Sequence, residues 1–433
     1  MPVMKDAVAA MDIQIVLRIV LPLAFLLAAL TLLVVMHADC RWAVSVGTGP
    51  FMRRTAAAMD AADALLERWY ARVGGWMGSL IIALLLLLIA FVHVKGGFRM
   101  QHYGEEYGYL SMAPFDLGTP SLVRNRILAP LIGWLLHLRG PLFIWVPWLF
   151  LLGFLAMVNV WLRRAGASSL LAFAGMLAVA FSSVTLHSLV APGFVDAVSY
   201  FLIGMAFTHI RRTFPSCLCM ALALTAHEVA IFLVPAWLLA STSAATDWRP
   251  VLKRVAVLAG LLLPYAGYRW WVAQHDDTLL SVAFYFSPRN LLACREVGLL
   301  ATAAGTFAVF RLHWVLLAVL LVMGGLRDKH LQWVLFLTAT VCLSLFIAWD
   351  TTRMVCWAFP FMVIGVVVLG ERVGQKRAAA LLLLAWSLNF AIPPYTTTGA
   401  ESYRLREIRD FLDAAAAAGE PIIDERNGMY EER

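Results

Sequence analysis

The feature that most constrains this chain is a series of long apolar segments, which follow one another with few interruptions over residues 77–391. Segments such as 77–94 and 142–162 approach or reach the roughly 20 residues that a helix needs to cross a bilayer core. Only 14% of the residues are charged, against about 25% in soluble globular domains. The sequence therefore predicts an all-α fold, a polytopic transmembrane helical bundle. It excludes a soluble domain and a barrel of short alternating strands.

Basic residues mark one side of the predicted bundle. Arg163-Arg164 and Arg211-Arg212 each follow an apolar segment, and the positive-inside rule places such residues in the cytoplasm. The net charge of +7 therefore indicates membrane orientation and not nucleic-acid binding. Counting the apolar segments along the chain gives roughly 10–12 membrane segments. We expect a multi-pass protein of the bacterial inner (plasma) membrane.

The chain is predicted to have three regions. Residues 1–76 hold a retained first span (13–36) and a cytoplasmic amphipathic segment, 77–393 form the transmembrane core, and 394–433 form a short extramembrane tail with one helix. Within the core, the apolar segment 127–138 is too short to span a bilayer straight. Segment 216–240 is interrupted by His227-Glu228 and Pro235, so it is either one span or two half-helices.

A large polar loop, residues 96–126, is predicted on the outer face between two apolar regions. It carries the acidic pair Glu105-Glu106 and, further on, Asp116. A carboxylate at the mouth of a helix bundle can act as a general base on a hydroxyl group or hold a divalent cation. These residues are the catalytic candidates, and a solvated loop with ordinary acids is the alternative.

Further candidates lie where an apolar segment begins. Arg124 and Arg126 precede segment 127–138 and can grip a phosphate group bidentately, or they can simply lie at the membrane interface. Asp196 follows the helix-breaking sequence Ala-Pro-Gly at 191–193. It is either a binding residue or a first-turn acid that stabilises the start of a helix.

Two more polar pairs interrupt apolar segments. His227-Glu228 does not continue to the HExxH pattern of zinc proteases, because position 231 is Ile231. An interhelical ion pair is the simpler interpretation of these two residues. Asp350 and Arg353 are spaced to pair across one helical turn; alternatively, Arg353 faces a substrate phosphate.

The order of these motifs resembles the GT-C superfamily, the polytopic glycosyltransferases that use sugars linked to a polyprenyl phosphate or diphosphate. The resemblance rests on a large first outer loop with an acidic pair, the sequence RILAP at 126–130, a His-Glu pair followed by Phe232 and Pro235, and the run DTTR…FP at 350–360. It implies that one of Glu105, Glu106 and Asp116 is the base and that Arg126, His227 and Arg353 bind the lipid phosphate.

These observations predict an integral-membrane glycosyltransferase that moves a sugar from a polyprenyl-phosphate carrier to a glycan or lipid acceptor on the outer face. The expected partners are membrane lipids and the lipid-linked sugar, and a divalent cation (Mg²⁺ or Mn²⁺) is the one cofactor left open. A transporter or lipid-linked-glycan flippase is an alternative, although such proteins often show internal repeats that this sequence lacks. A polysaccharide polymerase or ligase is another.

Overall fold

The structure is a computed structural model. It describes residues 50–100, 102–117, 123–241, 248–275, 298–314, 350–390, 392–398 and 401–407, together with short pieces of 336–346 and residue 410. The predicted first span (13–36), almost all of the predicted span 331–349 and most of the predicted tail helix lie outside the described residues.

The described part of the chain is almost entirely helical. The α-helices are α1 Pro50–Val73, α2 Gly75–Val94, α3 His102–Met112, α4 Leu128–Leu135, α5 Trp145–Arg164, α6 Ser169–Ala180, α7 Ser183–Val190, α8 Asp196–Thr208, α9 Thr213–Ala226, α10 Val234–Ala240, α11 Arg249–Ala273, α12 Gly298–Phe310, α13 Thr351–Cys356, α14 Phe359–Val373 and α15 Gln375–Phe390. Short 3₁₀ helices occupy Gly140–Ile144, Glu228–Leu233 and Ser344–Phe346, and the strands are β1 Tyr395–Thr398 and β2 Glu401–Arg404.

Three helices in the described part of the chain are long and apolar enough to cross a membrane: Gly75–Val94, Gly140–Arg164 and Arg249–Ala273. They correspond to the predicted spans 77–94, 142–162 and 255–272, which are thereby confirmed as long apolar helices. Helices α6 and α7 together form a further candidate membrane span, which bends by 45° where the two helices meet. The predicted segment 127–138 is the short helix α4.

Several helix ends gather at one end of the bundle, which we call the basic end and define by Arg163, Arg164, Arg211 and Arg212. Trp161 of α5 stacks on Phe207 of α8 with 5.7 Å between the ring centroids. The amphipathic helix α1 closes this end with its acidic side chains. Asp63 accepts a hydrogen bond from the backbone N–H of Leu170 at 2.7 Å, in the first turn of α6. Carboxylates at a helix start stabilise its free N–H groups.

Residues 216–240 form two antiparallel pieces and not one span. Helix α9 ends at Ala226, the chain breaks at His227, and a 3₁₀ helix and α10 lead back. The indole Nε1 of Trp237 donates a hydrogen bond to Oγ of Ser216, in the first turn of α9, at 2.9 Å. The turn of this hairpin carries His227 and Glu228 to the end opposite the basic end.

Buried Arg311 contacts two other helix breaks, the end of α15 and the junction of α6 and α7. It has a left-handed backbone conformation with φ 49° directly after α12. Its guanidinium donates to the carbonyl oxygens of Asn389 at 2.9 Å, Ile392 at 2.8 Å and Phe181. Carbonyl groups at helix ends have no intrahelical partner. The arginine therefore satisfies acceptors that the breaks leave free inside the apolar bundle.

The polar loop 96–126 contains a helix, α3, that the sequence analysis did not predict. Gly104 and Gly108 lie on its buried face, one turn apart. A Cβ atom on Gly104 would lie 2.7 Å from the carbonyl oxygen of Pro192, and one on Gly108 would lie 3.0 Å from that of Gly140. Both approaches require glycine, so α3 packs tightly against the chain break that precedes Asp196.

We expect Gly104→Ala to lower the free energy of unfolding by about 1–3 kcal/mol, because the added methyl group must push α3 away from backbone atoms. Thermal unfolding of the detergent-purified variant measures this effect. Gly260→Ala is the matched control, since a Cβ there meets no atom within 4 Å and alanine favours a helix interior. Equal stability of the two variants would contradict the packing argument.

The all-α prediction needs one correction. After α15 the chain forms an antiparallel β-hairpin with Tyr395 opposite Arg404. Its strand β1 contains consecutive threonines, which favour strands because their side chains branch at Cβ. The backbone N–H of Thr397 donates to Oγ1 of Thr352 at 2.8 Å. The hairpin thereby packs beside α13, the helix that carries Arg353.

Candidate functional site

Charged side chains from separate parts of the chain meet at the end of the bundle opposite the basic end. We call them the ion-pair cluster and define it as Arg126, Asp196, His227, Glu228 and Arg353. Each of these residues comes from a place where a helix begins or is interrupted. Such interruptions leave side chains pointing across the bundle axis, which is why residues distant in sequence converge here.

Asp196 and Arg353 form the inner pair of the cluster. Oδ2 of Asp196 accepts hydrogen bonds from Nε of Arg353 at 3.0 Å and from Nη2 at 2.8 Å. The two side chains are only 4% and 13% exposed. The guanidinium also lies over the ring of Phe194, 4.3 Å from its centroid. This is a buried ion pair, and each charge depends on the other for compensation.

Arg126 and Glu228 form the outer pair. The guanidinium donates two parallel hydrogen bonds to the carboxylate, from Nε to Oε2 at 2.9 Å and from Nη2 to Oε1 at 2.6 Å. Its Nη1 donates to the hydroxyl of Tyr107 at 2.9 Å. Burial raises the pKa of Tyr107 above its usual value, so the hydroxyl stays uncharged. Arg126 is therefore held from two sides.

His227 lies between the two pairs. Its Nδ1 accepts a hydrogen bond from the backbone N–H of Val229 at 3.3 Å, which leaves the proton of the uncharged ring on Nε2. This nitrogen lies 3.6 Å from Oδ1 of Asp196 and 3.5 Å from Nη2 of Arg353. The edge of Trp357 packs against the imidazole with 5.0 Å between the ring centroids. The histidine orientation is thus fixed by backbone and packing.

Two tyrosines of the long helix α11 hold the loop that carries Arg126. The hydroxyl of Tyr265 donates to the carbonyl oxygen of Asn125 at 2.8 Å, and that of Tyr268 donates to the carbonyl oxygen of Arg124 at 3.1 Å. The sequence analysis did not select these tyrosines or Tyr107. In the sequence, these tyrosines are marked only by a hydroxyl group within or beside an apolar segment. A hydroxyl group stands out less there than a charged side chain does.

The other candidate residues lie outside the cluster. Arg124 is buried and donates from Nη1 to the carbonyl oxygen of Asp116, so it ties the end of the polar loop to its middle. The side chains of Asp116 and Glu105 are exposed, and Glu106 is half-buried.

Oδ1 of Asp350 accepts a hydrogen bond at 3.3 Å from the backbone N–H of Arg353. Asp350 therefore caps α13, while the guanidinium of Arg353 bonds to Asp196.

The carboxylates and the guanidinium groups of the cluster are paired with one another. Within the described residues, no group of three or more His, Cys, Asp or Glu side chains is arranged to hold a metal ion. A guanidinium of the cluster could bind a phosphate group bidentately, but only if that group displaced the carboxylate now paired with it.

No protein-family model, no curated protein and no solved structure matches this chain.

Proposed function

We propose that this protein is a polytopic glycosyltransferase resembling the GT-C superfamily, with roughly 10–12 membrane segments in the bacterial inner (plasma) membrane. It moves a sugar from a polyprenyl-phosphate carrier to a glycan or lipid acceptor on the outer face. The observation that supports this proposal is the ion-pair cluster, in which Arg126 and Arg353 flank His227 with a carboxylate on each arginine.

Arginines at this place favour a phosphorylated substrate. Ionisable groups inside a membrane protein are costly and are retained mostly where function needs them. A guanidinium can bind two phosphate oxygens at once, which an ammonium group cannot do in a fixed geometry. A cluster with two such groups can bind the charged head of a lipid whose hydrocarbon chain stays in the bilayer.

The position of the cluster supports a reaction on the outer face. The basic end carries the paired arginines at 163–164 and 211–212, which the positive-inside rule assigns to the cytoplasm. Helix α8 runs from Asp196 in the cluster to Thr208 near that basic end. The cluster therefore belongs to the opposite, outer half of the bundle.

The proposed reaction uses each kind of group in the cluster. The acceptor hydroxyl attacks the anomeric carbon, and the bond from that carbon to the phosphate oxygen breaks. The negative charge that develops on the leaving phosphate is stabilised by the guanidinium groups of Arg126 and Arg353. A carboxylate accepts the hydroxyl proton. The loop supplies Glu105, Glu106 and Asp116 for that role, and the cluster supplies Asp196 and Glu228.

We expect the detergent-purified protein to release free polyprenyl phosphate from a polyprenyl-phosphate hexose in the presence of an acceptor. Release is measured with and without added Mg²⁺ or Mn²⁺, and a dependence on the cation would assign the loop or cluster carboxylates a role in holding it. Thin-layer or mass-spectrometric detection of the lipid product measures it, and heat-denatured protein is the control. No release across a panel of hexoses and acceptors would count against a transferase.

A transporter or flippase of lipid-linked glycans is the second candidate. It is favoured by the helical interruptions beside the cluster, at 191–195 and at His227, because transporters bind substrates at discontinuous helices. Flux of a labelled lipid or solute across liposomes that contain the protein tests this alternative. Flux without release of polyprenyl phosphate would replace the first proposal with the second.

A further inference from the structure

We infer that Glu228 occupies, in the unliganded protein, the place on Arg126 that the phosphate of the donor takes, and that the displaced Glu228 then accepts the proton of the acceptor hydroxyl. This inference rests on the proposed function. It assigns Arg126 as an exchangeable phosphate site and Glu228 as the base, in place of the loop acids.

The two ion pairs of the cluster differ in accessibility. In the inner pair, Asp196 is 4% exposed and Arg353 is 13% exposed, with the ring of Phe194 against the guanidinium. In the outer pair, the side chain of Arg126 is 16% exposed and that of Glu228 is 31% exposed, so the two pairs differ mainly in the exposure of their carboxylates. A ligand from outside can therefore reach the outer pair while the inner pair stays intact.

Arg126 is held by groups other than Glu228. Its Nη1 donates to Tyr107, whose side chain is fully buried. The preceding residue is fixed through the hydrogen bond from Tyr265 to the carbonyl oxygen of Asn125. The guanidinium can thus stay in place when the carboxylate leaves. The two parallel N–H groups that now hold a carboxylate have the geometry that also binds two phosphate oxygens.

Glu228 remains close to the site after such an exchange. It follows His227, which caps the 3₁₀ helix through the N–H of Val229, so its backbone is fixed while its side chain can rotate. Oε2 lies 3.6 Å from Nδ1 of His227, on the side of the cluster where the phosphate binds. A carboxylate without its guanidinium is free to accept a proton.

The proton and the electrons of the proposed step balance. The hydroxyl oxygen of the acceptor forms the new bond to the anomeric carbon, and its proton moves to the carboxylate of Glu228. The bond between the anomeric carbon and the phosphate oxygen breaks, and its electron pair stays on the phosphate bound to Arg126. When the phosphate leaves, the proton passes to solvent and Glu228 pairs with Arg126 again.

The test of the exchange uses farnesyl phosphate as the probe, with farnesol and inorganic phosphate for comparison, and measures Kd by calorimetry on the detergent-purified protein. Glu228→Gln removes the competing charge but keeps a side chain of the same shape. We expect it to bind farnesyl phosphate about tenfold more tightly than the unmodified protein does. Glu371→Gln, an exposed acid at the end of α14, is the control and is expected to leave Kd unchanged.

A second measurement tests the role as base. Glu228→Gln is expected to lower the release of polyprenyl phosphate about a hundredfold or more, whereas the control Glu371→Gln, at an exposed acid with no role in the cluster, is expected to keep it. Tighter binding in Glu228→Gln with full turnover would overturn the role as base. Loss of turnover in the double variant Glu105→Gln/Glu106→Gln, with full turnover in Glu228→Gln, would assign the base to the loop and do the same.

The outcomes separate the exchange from the proposed function. Unchanged or weaker binding in Glu228→Gln, or no binding of farnesyl phosphate by either protein, overturns the exchange. Tighter binding in the variant with no transfer by the unmodified protein supports the exchange and rejects the transferase. If Glu228→Gln does not fold, Glu228→Asp keeps the charge but shortens the reach, and its Kd is expected to be lower than that of the unmodified protein.

Discussion

Asp196→Ala is expected to lower the free energy of unfolding by about 3–5 kcal/mol. The substitution leaves the guanidinium of Arg353, which is 13% exposed, without the carboxylate oxygen that accepts two of its hydrogen bonds. An uncompensated charge in this position cannot recover its hydration without opening the structure. The loss should therefore be larger than the cost of removing one ordinary hydrogen bond.

Denaturant unfolding in detergent micelles measures this loss. Asp60→Ala is the matched control, because Asp60 also pairs with a base, Lys376, but both side chains are more than half exposed; exposed pairs contribute about 0–1 kcal/mol. The double variant Asp196→Ala/Arg353→Ala should be less destabilised than the sum of the two single variants, since it removes the orphaned charge as well. If Asp196→Ala lowers the free energy of unfolding no more than Asp60→Ala does, the argument from a buried ion pair is contradicted.

The length of the apolar segments predicted the long helices. A helix in lipid must form its backbone hydrogen bonds internally and carry apolar side chains over its whole length. The same reasoning failed where structure depends on packing. Helix α3 is too short and too polar to be recognised by apolar length, and it forms where Gly104 and Gly108 let it approach other backbone segments. The β-hairpin follows the last predicted span, at the start of the tail 394–433 for which the sequence predicts a helix. Both elements are defined by contacts with distant residues.

The candidate site was predictable in its residues but not in its pairing. A charge within or at the end of an apolar segment stands out in the sequence. This selected Arg126, Asp196, His227, Glu228 and Arg353, but also Arg124 and Asp350, which lie outside the cluster. Their partners depend on where each helix is interrupted, which the sequence does not place to within one turn. Asp350 and Arg353 have the spacing of an ion pair, but Asp350 caps the helix through a backbone N–H, and the guanidinium bonds instead to Asp196.

Arg126→Gln is expected to lower the turnover of a polyprenyl-phosphate hexose about a thousandfold. In the proposed reaction its guanidinium binds the phosphate that leaves, and its two parallel donors act where charge develops. Arg126→Lys keeps the positive charge but loses the two parallel N–H donors of the guanidinium group, so it should recover only part of the turnover. Release of polyprenyl phosphate at saturating and at low donor concentration measures kcat and kcat/KM.

Two comparisons separate a role in the reaction from a role in folding. Arg164→Gln makes the same chemical change at an exposed residue of the basic end and should leave turnover unchanged. Arg126→Gln also leaves Glu228 without its partner, which lowers stability. The double variant Arg126→Gln/Glu228→Gln removes that unpaired charge and should regain stability but not turnover. If it regains both, Arg126 serves only to neutralise Glu228, and the phosphate site must be sought at Arg353.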